Sequence, residues 1–185
     1  DEQDTAVGTL FELASGALVS VSADGSYTYD PNGAFDYLGA DESEEDSFTY
    51  TVSDGNGGTD TATVSVSVNG VNDDPTADGV HLNIDEADGT YSGNLLDYAA
   101  DADLNDTLVI SAINGTPGNV GSELQIETGA WLTVNADGTF TLEPPRAANS
   151  GETLEGSFDY TVSDGNGGFA TATVSFTVYG DGVEV

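Results

Sequence analysis

Two short acidic clusters hold the residue types best suited to chemistry in this chain. One is Asp101-Ala102-Asp103, with Asp106 three residues on; the other is Asn72-Asp73-Asp74-Pro75. In an extended segment, residues i and i+2 project to the same side, so Asp101 and Asp103 offer two carboxylates to one point. Carboxylates are hard oxygen donors, and calcium takes about six to eight such oxygens from carboxylates, carbonyls and water. Other chemistries have little to work with. The chain has no Cys, one His (His81), one Arg (Arg146) and no Lys. His81 stands in an expected strand with no Ser-centred nucleophile motif near it, which suits a structural role better than a general base. No two carboxylates are marked out as a glycosidase pair. The glycines fall where hairpins need them rather than in a phosphate-cradling loop. The sequence therefore reads as a non-enzyme.

The charge balance points the same way. Against one Arg stand 34 Asp and Glu, a net charge of −33 in 185 residues. Self-repulsion at that density strains a compact state. It excludes nucleic acid, whose binding needs a basic face, and argues against anionic membranes. Disorder does not follow, because 37% of the residues are hydrophobic and they fall in alternating runs that can build a core. Either bound cations neutralise carboxylates or high salt screens them. With no cysteine for disulfides, metal is the natural staple for a small secreted domain. The first residues show no signal peptide, and no stretch approaches the roughly 20 apolar residues of a membrane span. The expectation is a piece of a longer secreted protein, with no membrane insertion.

An internal repeat organises the chain. Residues 48–70 (FTYTVSDGNGGTDTATVSVSVNG) and 158–180 (FDYTVSDGNGGFATATVSFTVYG) share 17 of 23 positions at an offset of 110. Upstream, residues 7–25 align without gaps to 120–138 at an offset of 113. The first copy has no counterpart of roughly residues 76–119, so it is expected to be truncated at its N-terminus. The expected organisation is a partial repeat at 1–70, a short linker at 71–75 and a complete repeat at 76–185.

Both copies carry strand patterns. Period-two alternation predicts strands at 48–52, 61–68, 158–162 and 171–178. Each pair is joined by Ser-Asp-Gly-Asn-Gly-Gly, whose Asp-Gly and Asn-Gly supply the positive φ of hairpins. Further pairs are 18–22 with 26–29 and 131–135 with 139–142. Strands are also expected at 80–85, 89–95, 107–113 and 122–127, with one weak helical stretch at 94–100. About seven short strands per module indicate an all-β fold, tandem β-sandwiches of immunoglobulin or cadherin type. Tyr27, Tyr29, Phe48, Tyr50, Phe158 and Tyr160 are expected in the core or half-buried at its edge, and Trp131, aligned with Leu18, in a packing role. Tyr37, Tyr91 and Tyr98 lie nearer loops, where they can stack on sugar rings. The acidic run 41–46 is expected to be a solvated loop.

The strings TVSDGNGGTDTATVSVSVNGVNDDP and LLDYAADADLNDTLVISAING resemble the cadherin-like, or VCBS-type, repeats of RTX adhesins and rhizobial adhering proteins. The resemblance covers nearly the whole chain. It implies a secreted β-sandwich at the bacterial cell surface, Ca²⁺ at module junctions, contact with neighbouring repeats of the same chain, and a role as spacer or adhesion module in attachment or biofilm. Some relatives bind acidic exopolysaccharide, so a calcium-dependent, lectin-like module is the alternative function. By the same resemblance Asn72, Asp73 and Asp74 correspond to the cadherin linker, Asp101 and Asp103 to its Asp-x-Asp motif, Asp164 to the Asp after the penultimate strand, and Glu86 to a ligand from the first strand. The linker departs from the cadherin pattern in being one residue shorter before Pro75 and in carrying Asn69 where an Asp would stand.

Overall fold

A computed structural model describes residues 7–145 and 151–180, and Arg146 lies outside them. The described chain divides into two compact units, Asp1–Asn72 with Asp103–Asn105, and Asp73–Ala102 with Asp106–Val185. No helix among the described residues is long and apolar enough to cross a membrane.

The second unit is a β-sandwich built by the alternation seen in the sequence. One sheet holds β7 (Val80–Asp85), β10 (Val109–Ile113), β14 (Thr153–Ser163) and β15 (Phe169–Tyr179) in the order β10-β14-β15-β7. The other holds β8 (Tyr91–Asn94), β11 (Glu123–Gln125), β12 (Trp131–Val134) and β13 (Thr139–Glu143) in the order β11-β12-β13-β8. A two-stranded piece pairs β6 (Thr76–Ala77) with β9 (Ala99–Ala100). Every second residue points inward. Leu82, Ile84, Ile110, Phe158, Tyr160, Val162, Val174, Phe176 and Val178 from the first sheet meet Leu132, Val134, Phe140 and Leu142 from the second, and all are buried in one core. The β14–β15 hairpin is antiparallel over eleven residue pairs, whereas β7 joins the far edge of β15 in parallel, Val174 opposite Val80 through Tyr179 opposite Asp85. The expected helical stretch is a single 3-10 turn, Leu95–Tyr98, capped by the Asn94 side chain accepting the Leu96 N–H.

The first unit has fewer strands. β1 (Leu10–Glu12), β2 (Leu18–Val21) and β3 (Tyr27–Asp30) form one sheet, and β4 (Ser43–Ser53) and β5 (Thr59–Asn69) form a two-stranded hairpin. Its core is small: Ala17, Phe35 and Leu38, with Leu13, Tyr29, Ala34 and Val68 half-buried around them. The run 41–46 is expected as a solvated loop; residues 43–46 instead open β4, while Asp41, Ser43, Glu44 and Glu45 are exposed as expected. Asp46 accepts hydrogen bonds from Ser15 Oγ at 2.7 Å and Tyr29 Oη at 2.8 Å. The repeat explains why an Asp fits there. In the second copy its equivalent is Gly156, which lies opposite Phe176, and a Cβ on Gly156 would collide with the Phe176 ring. In the first copy Asp46 lies opposite the smaller Val66. Two aromatic expectations are corrected too: Tyr27 and Tyr50 are exposed. Trp131 is also exposed, because its neighbours Leu132 and Val134 take the inward face of β12 and leave it the outer one.

The Tyr29–Asp46 hydrogen bond makes stability depend on pH at both ends. Burial, then the bond to Asp46 and its charge, push the Tyr29 hydroxyl up to about 12. Burial also pushes Asp46 up, but the bonds from Ser15, Tyr29 and the Ser47 N–H outweigh it and hold the carboxyl below its ordinary value. Asp46 therefore contributes stability that is present above its unfolded pKa of about 3.8 and fades as pH falls through its lowered value. Tyr29 keeps its proton in the folded state after the unfolded chain has lost it. Its contribution is present below about 10 and disappears as pH rises to about 12. Tyr29→Phe should cost about 1 kcal/mol at neutral pH. Denaturant titrations should show the gap between wild type and variant closing between roughly pH 10 and 12; a gap constant across that range would contradict the assignment.

Candidate metal centre

The hairpin turns supply the first carboxylates. In residues 163–168 and 53–58 the same string, Ser-Asp-Gly-Asn-Gly-Gly, folds the same way. Asp164 Oδ1 accepts the N–H groups of Asn166 at 2.7 Å and of Gly167 and Gly168 at 3.0 Å, and Oδ2 accepts Gly168 N–H at 3.0 Å. Asp54 Oδ1 accepts Asn56 N–H at 2.7 Å and Gly58 N–H at 2.9 Å. Gly165 and Gly167 have φ of 89° and 116°, a region that glycine enters without a Cβ penalty. Hydrogen bonds from Asn56 and Gly58 hold Asp54 below the ordinary carboxylate value. The two sites differ in their surroundings. Asp54 is exposed, whereas Asp164 is only 3% exposed.

In the second unit a loop after β9 brings more carboxylates to Asp164. One oxygen each of Asp101, Asp106 and Asp164 lie within 4.8 Å of one another. Asp106 Oδ1 accepts a hydrogen bond from Asn166 Nδ2 at 2.7 Å, tying the loop to the turn. Its Oδ2 is buried without a hydrogen-bond partner. Asp74 lies alongside: a Cβ on Gly168 would stand 2.8 Å from Asp74 Oδ1 and collide with Asp164 Oδ2. Only glycine leaves room for both carboxylates.

The electrostatics of this group favour a cation among the three carboxylates. Among the described residues there is no Lys or Arg, and His81 is engaged with Ser175 and Thr177. Two like charges about 4 Å apart repel by roughly 4 kcal/mol at an effective dielectric constant of ~20. A buried carboxylate oxygen with no donor adds a desolvation cost. All the donors are hard oxygens, which fits calcium rather than a thiolate- or imidazole-seeking metal.

The expected ligands distribute as follows. Asp101 and Asp164 stand in the cluster, and Asp74 lies beside Gly168 with Asp164. Asp73 belongs to the same unit outside the three-carboxylate group. So does Glu86, the first residue of a 3-10 turn after β7, whose Oε2 is buried without a hydrogen-bond partner. Asn72 and Asp103 are counted with the first unit. There Asp103 is 3% exposed, with Gly39 against its Cβ and carboxylate. Asp106, which is not among the expected ligands, stands in the cluster with Asp101 and Asp164. Its position three residues beyond Asp103 does not mark it on an extended strand, and only the turn between them brings it to Asp101.

The bacterial cadherin-like domain family matches the sequence at residues 1–70 and again at 72–180. No curated protein matches it. Among solved structures, human mucin-like protocadherin EC1-2 is similar at 17% identity over 64% of this chain and 61% of its own, with a TM-score of 0.40. Mouse cadherin-23 EC22-24 aligns at 19% identity over 75% of this chain and 43% of its own, with a TM-score of 0.43. Mouse clustered PcdhgC3 EC1-3 aligns at 16% identity over 88% of this chain and 50% of its own, with a TM-score of 0.43. The chain thus spans between two fifths and about three fifths of the length of these structures. With both copies of the repeat matched, the chain belongs to the bacterial cadherin-like domain family, a family of adhesion-type repeat modules.

Proposed function

We propose that this chain is a calcium-binding extracellular repeat, acting as a rigid spacer or adhesion module of a bacterial surface protein in attachment or biofilm, and that it has no catalytic activity. The observation that carries the reading is the convergence of Asp101, Asp106 and Asp164 with no Lys or Arg among the described residues to answer them. Asp74 and Glu86 are further oxygen donors of the same unit. When bound, the ion supplies positive charge and fixes the carboxylates around it. The chain supplies a preformed turn that aims Asp164, and the Asn166–Asp106 bond that holds the loop against it. Because only the folded state assembles these groups, the ion stabilises the fold by mass action. Millimolar calcium, the range of extracellular modules, is the expected working concentration.

Calorimetric titration of the full chain with CaCl₂ tests this. Binding heat is expected for wild type and for Asp54→Ala, and it should be lost in Asp101→Ala/Asp106→Ala. Unchanged binding in the double variant would remove the assignment. The lectin-like reading has one observation in its favour, the exposed Trp131 on the outer face of β12. Retention on an acidic exopolysaccharide, abolished by chelator and by Trp131→Ala, would favour it over the spacer.

A further inference from the structure

In an Asn-Gly sequence the backbone nitrogen of the glycine can attack the side-chain amide carbon of the asparagine. Glycine has no Cβ to hinder that approach. The chain holds five such sequences, starting at Asn32, Asn56, Asn69, Asn114 and Asn166. Reaction needs a free nitrogen and a side-chain amide able to turn onto it. Among the described residues, Asn166-Gly167 alone has both groups tied to side-chain carboxylates. The Gly167 N–H donates to Asp164 Oδ1 at 3.0 Å, and Asn166 Nδ2 donates to Asp106 Oδ1 at 2.7 Å. In the same hexapeptide at Asn56, the bonds to the Asp54 carboxylate come from Asn56 and Gly58 and leave out the Gly57 N–H. Asn56 Nδ2 reaches only the Asp54 carbonyl, at 3.3 Å. Asn114 is held elsewhere, its Oδ1 accepting the Asp159 N–H at 2.8 Å. Exposure does not distinguish Asn56 from Asn166, since both face solvent. The hydrogen bonds do.

We propose that Asn166 is a self-modification site, locked while the acidic cluster holds a cation and released when the cation is lost. The inference rests on the calcium reading of that cluster. Both locks, Asp106 and Asp164, are carboxylates of the cluster. Without the ion, their repulsion with Asp101 favours separation, and separation frees amide and nitrogen together. The rate then follows the population of the opened turn. The Gly167 nitrogen bonds to Asn166 Cγ and gives its proton to solvent. The Cγ–Nδ2 bond breaks, and Nδ2 takes a proton from solvent and leaves as ammonia. A cyclic imide now joins the two residues. One water molecule opens either of the imide C–N bonds made by the Gly167 nitrogen, yielding aspartate or isoaspartate. No electrons are exchanged. Either product deprives Asp106 of the Nδ2–H donor and puts a further carboxyl beside the cluster. Isoaspartate also lengthens the backbone by one atom, inside a turn whose Asn166, Gly167 and Gly168 N–H groups all meet Asp164. Loss of the ion is thereby written into covalent structure.

The test incubates the full chain in mildly alkaline buffer, with saturating CaCl₂ or with chelator. Protease digestion and mass spectrometry then follow the conversion of each asparagine. Asn56 is the reference for the same hexapeptide, and Asn114 reports unfolding of the second unit. In calcium, Asn166 is expected to convert at least tenfold more slowly than Asn56. In chelator its rate should rise to that of Asn56 while Asn114 stays slow. Asp106→Asn keeps an oxygen for the Nδ2–H and relieves the repulsion, so in chelator it should slow Asn166 relative to wild type; Asp106→Ala should not. Amide exchange in β14 and β15 checks that both variants are folded. Equal Asn166 rates with and without chelator, in a chain that gives calcium binding heat, would overturn this inference and leave the calcium reading standing. Asn114 rising together with Asn166 would also overturn it, because the whole unit would then be opening. A chelator effect without calcium heat would keep the lock and assign it to a different divalent ion. Neither heat nor a chelator effect would overturn both.

Discussion

Tyr160→Ala will destabilise the second unit by about 3–5 kcal/mol, while Tyr50→Ala will cost the first unit less than about 1 kcal/mol. The two tyrosines sit in the same hexapeptide context apart from one residue, Phe-Asp-Tyr-Thr-Val-Ser against Phe-Thr-Tyr-Thr-Val-Ser, on equivalent strands. Propensity and unfolded-chain effects therefore nearly cancel. What differs is the folded environment. Tyr160 is fully buried among residues of both sheets, and its hydroxyl donates to the Asp78 carbonyl at 2.7 Å. Burial, with the nearby charge of Asp78 next, raises its pKa, as expected of a phenol that must stay protonated. Truncation leaves a ring-sized cavity and an unanswered carbonyl. Tyr50 faces solvent, and its removal creates no cavity. Amide exchange in β14–β15 and in β4–β5 reads the two costs separately. Equal costs would mean that the first hairpin is covered in solution by something the chain itself provides.

Removing divalent cations will lower the melting temperature of the second unit by roughly 10 °C or more from its value in saturating calcium. Ligand at about a hundredfold excess over Kd contributes about 2.7 kcal/mol, and each kcal/mol moves the midpoint of a domain of this size by about 4–8 °C. A change of sign gives the sharper signature. Asp106→Asn keeps an oxygen to accept the Asn166 bond but removes one of three crowded charges. In chelator the variant should be more stable than wild type, because like-charge repulsion is relieved. In calcium it should be less stable, because a ligand charge is gone. A variant destabilised to the same extent in both conditions would show that Asp106 acts through packing alone.

Much of the fold is written in local pattern, and the exceptions follow from what pattern cannot carry. The alternation in 158–162 and 171–178 located β14 and β15, and Asp-Gly with Asn-Gly located their turn, because period and turn chemistry are properties of adjacent residues. The repeat carried those elements over to β4 and β5. Alternation also separates the two faces of a strand, but it does not say whether an opposing strand exists. That is why Tyr27 and Tyr50 look like core residues in sequence and are exposed in structure. The same rule, applied along β12, would have turned Trp131 outward, since Leu132 and Val134 occupy the other face. β6 and β9, each two residues long, are too short to show a period. The parallel docking of β7 on β15 is set by tertiary assembly and leaves no mark in either strand. In the acidic cluster, Asp101 is singled out by its spacing and Asp164 by the resemblance to cadherin repeats. Asp106 joins them only because the chain turns between residues 103 and 106.

The most direct measurement is a crystal structure of the chain grown in millimolar Ca²⁺, with anomalous scattering recorded to identify the ion. The predicted result is an anomalous peak within about 2.3–2.6 Å of carboxylate oxygens from Asp101, Asp106 and Asp164. Well-ordered density with those three carboxylates bound only to water, and no peak among them, would contradict it.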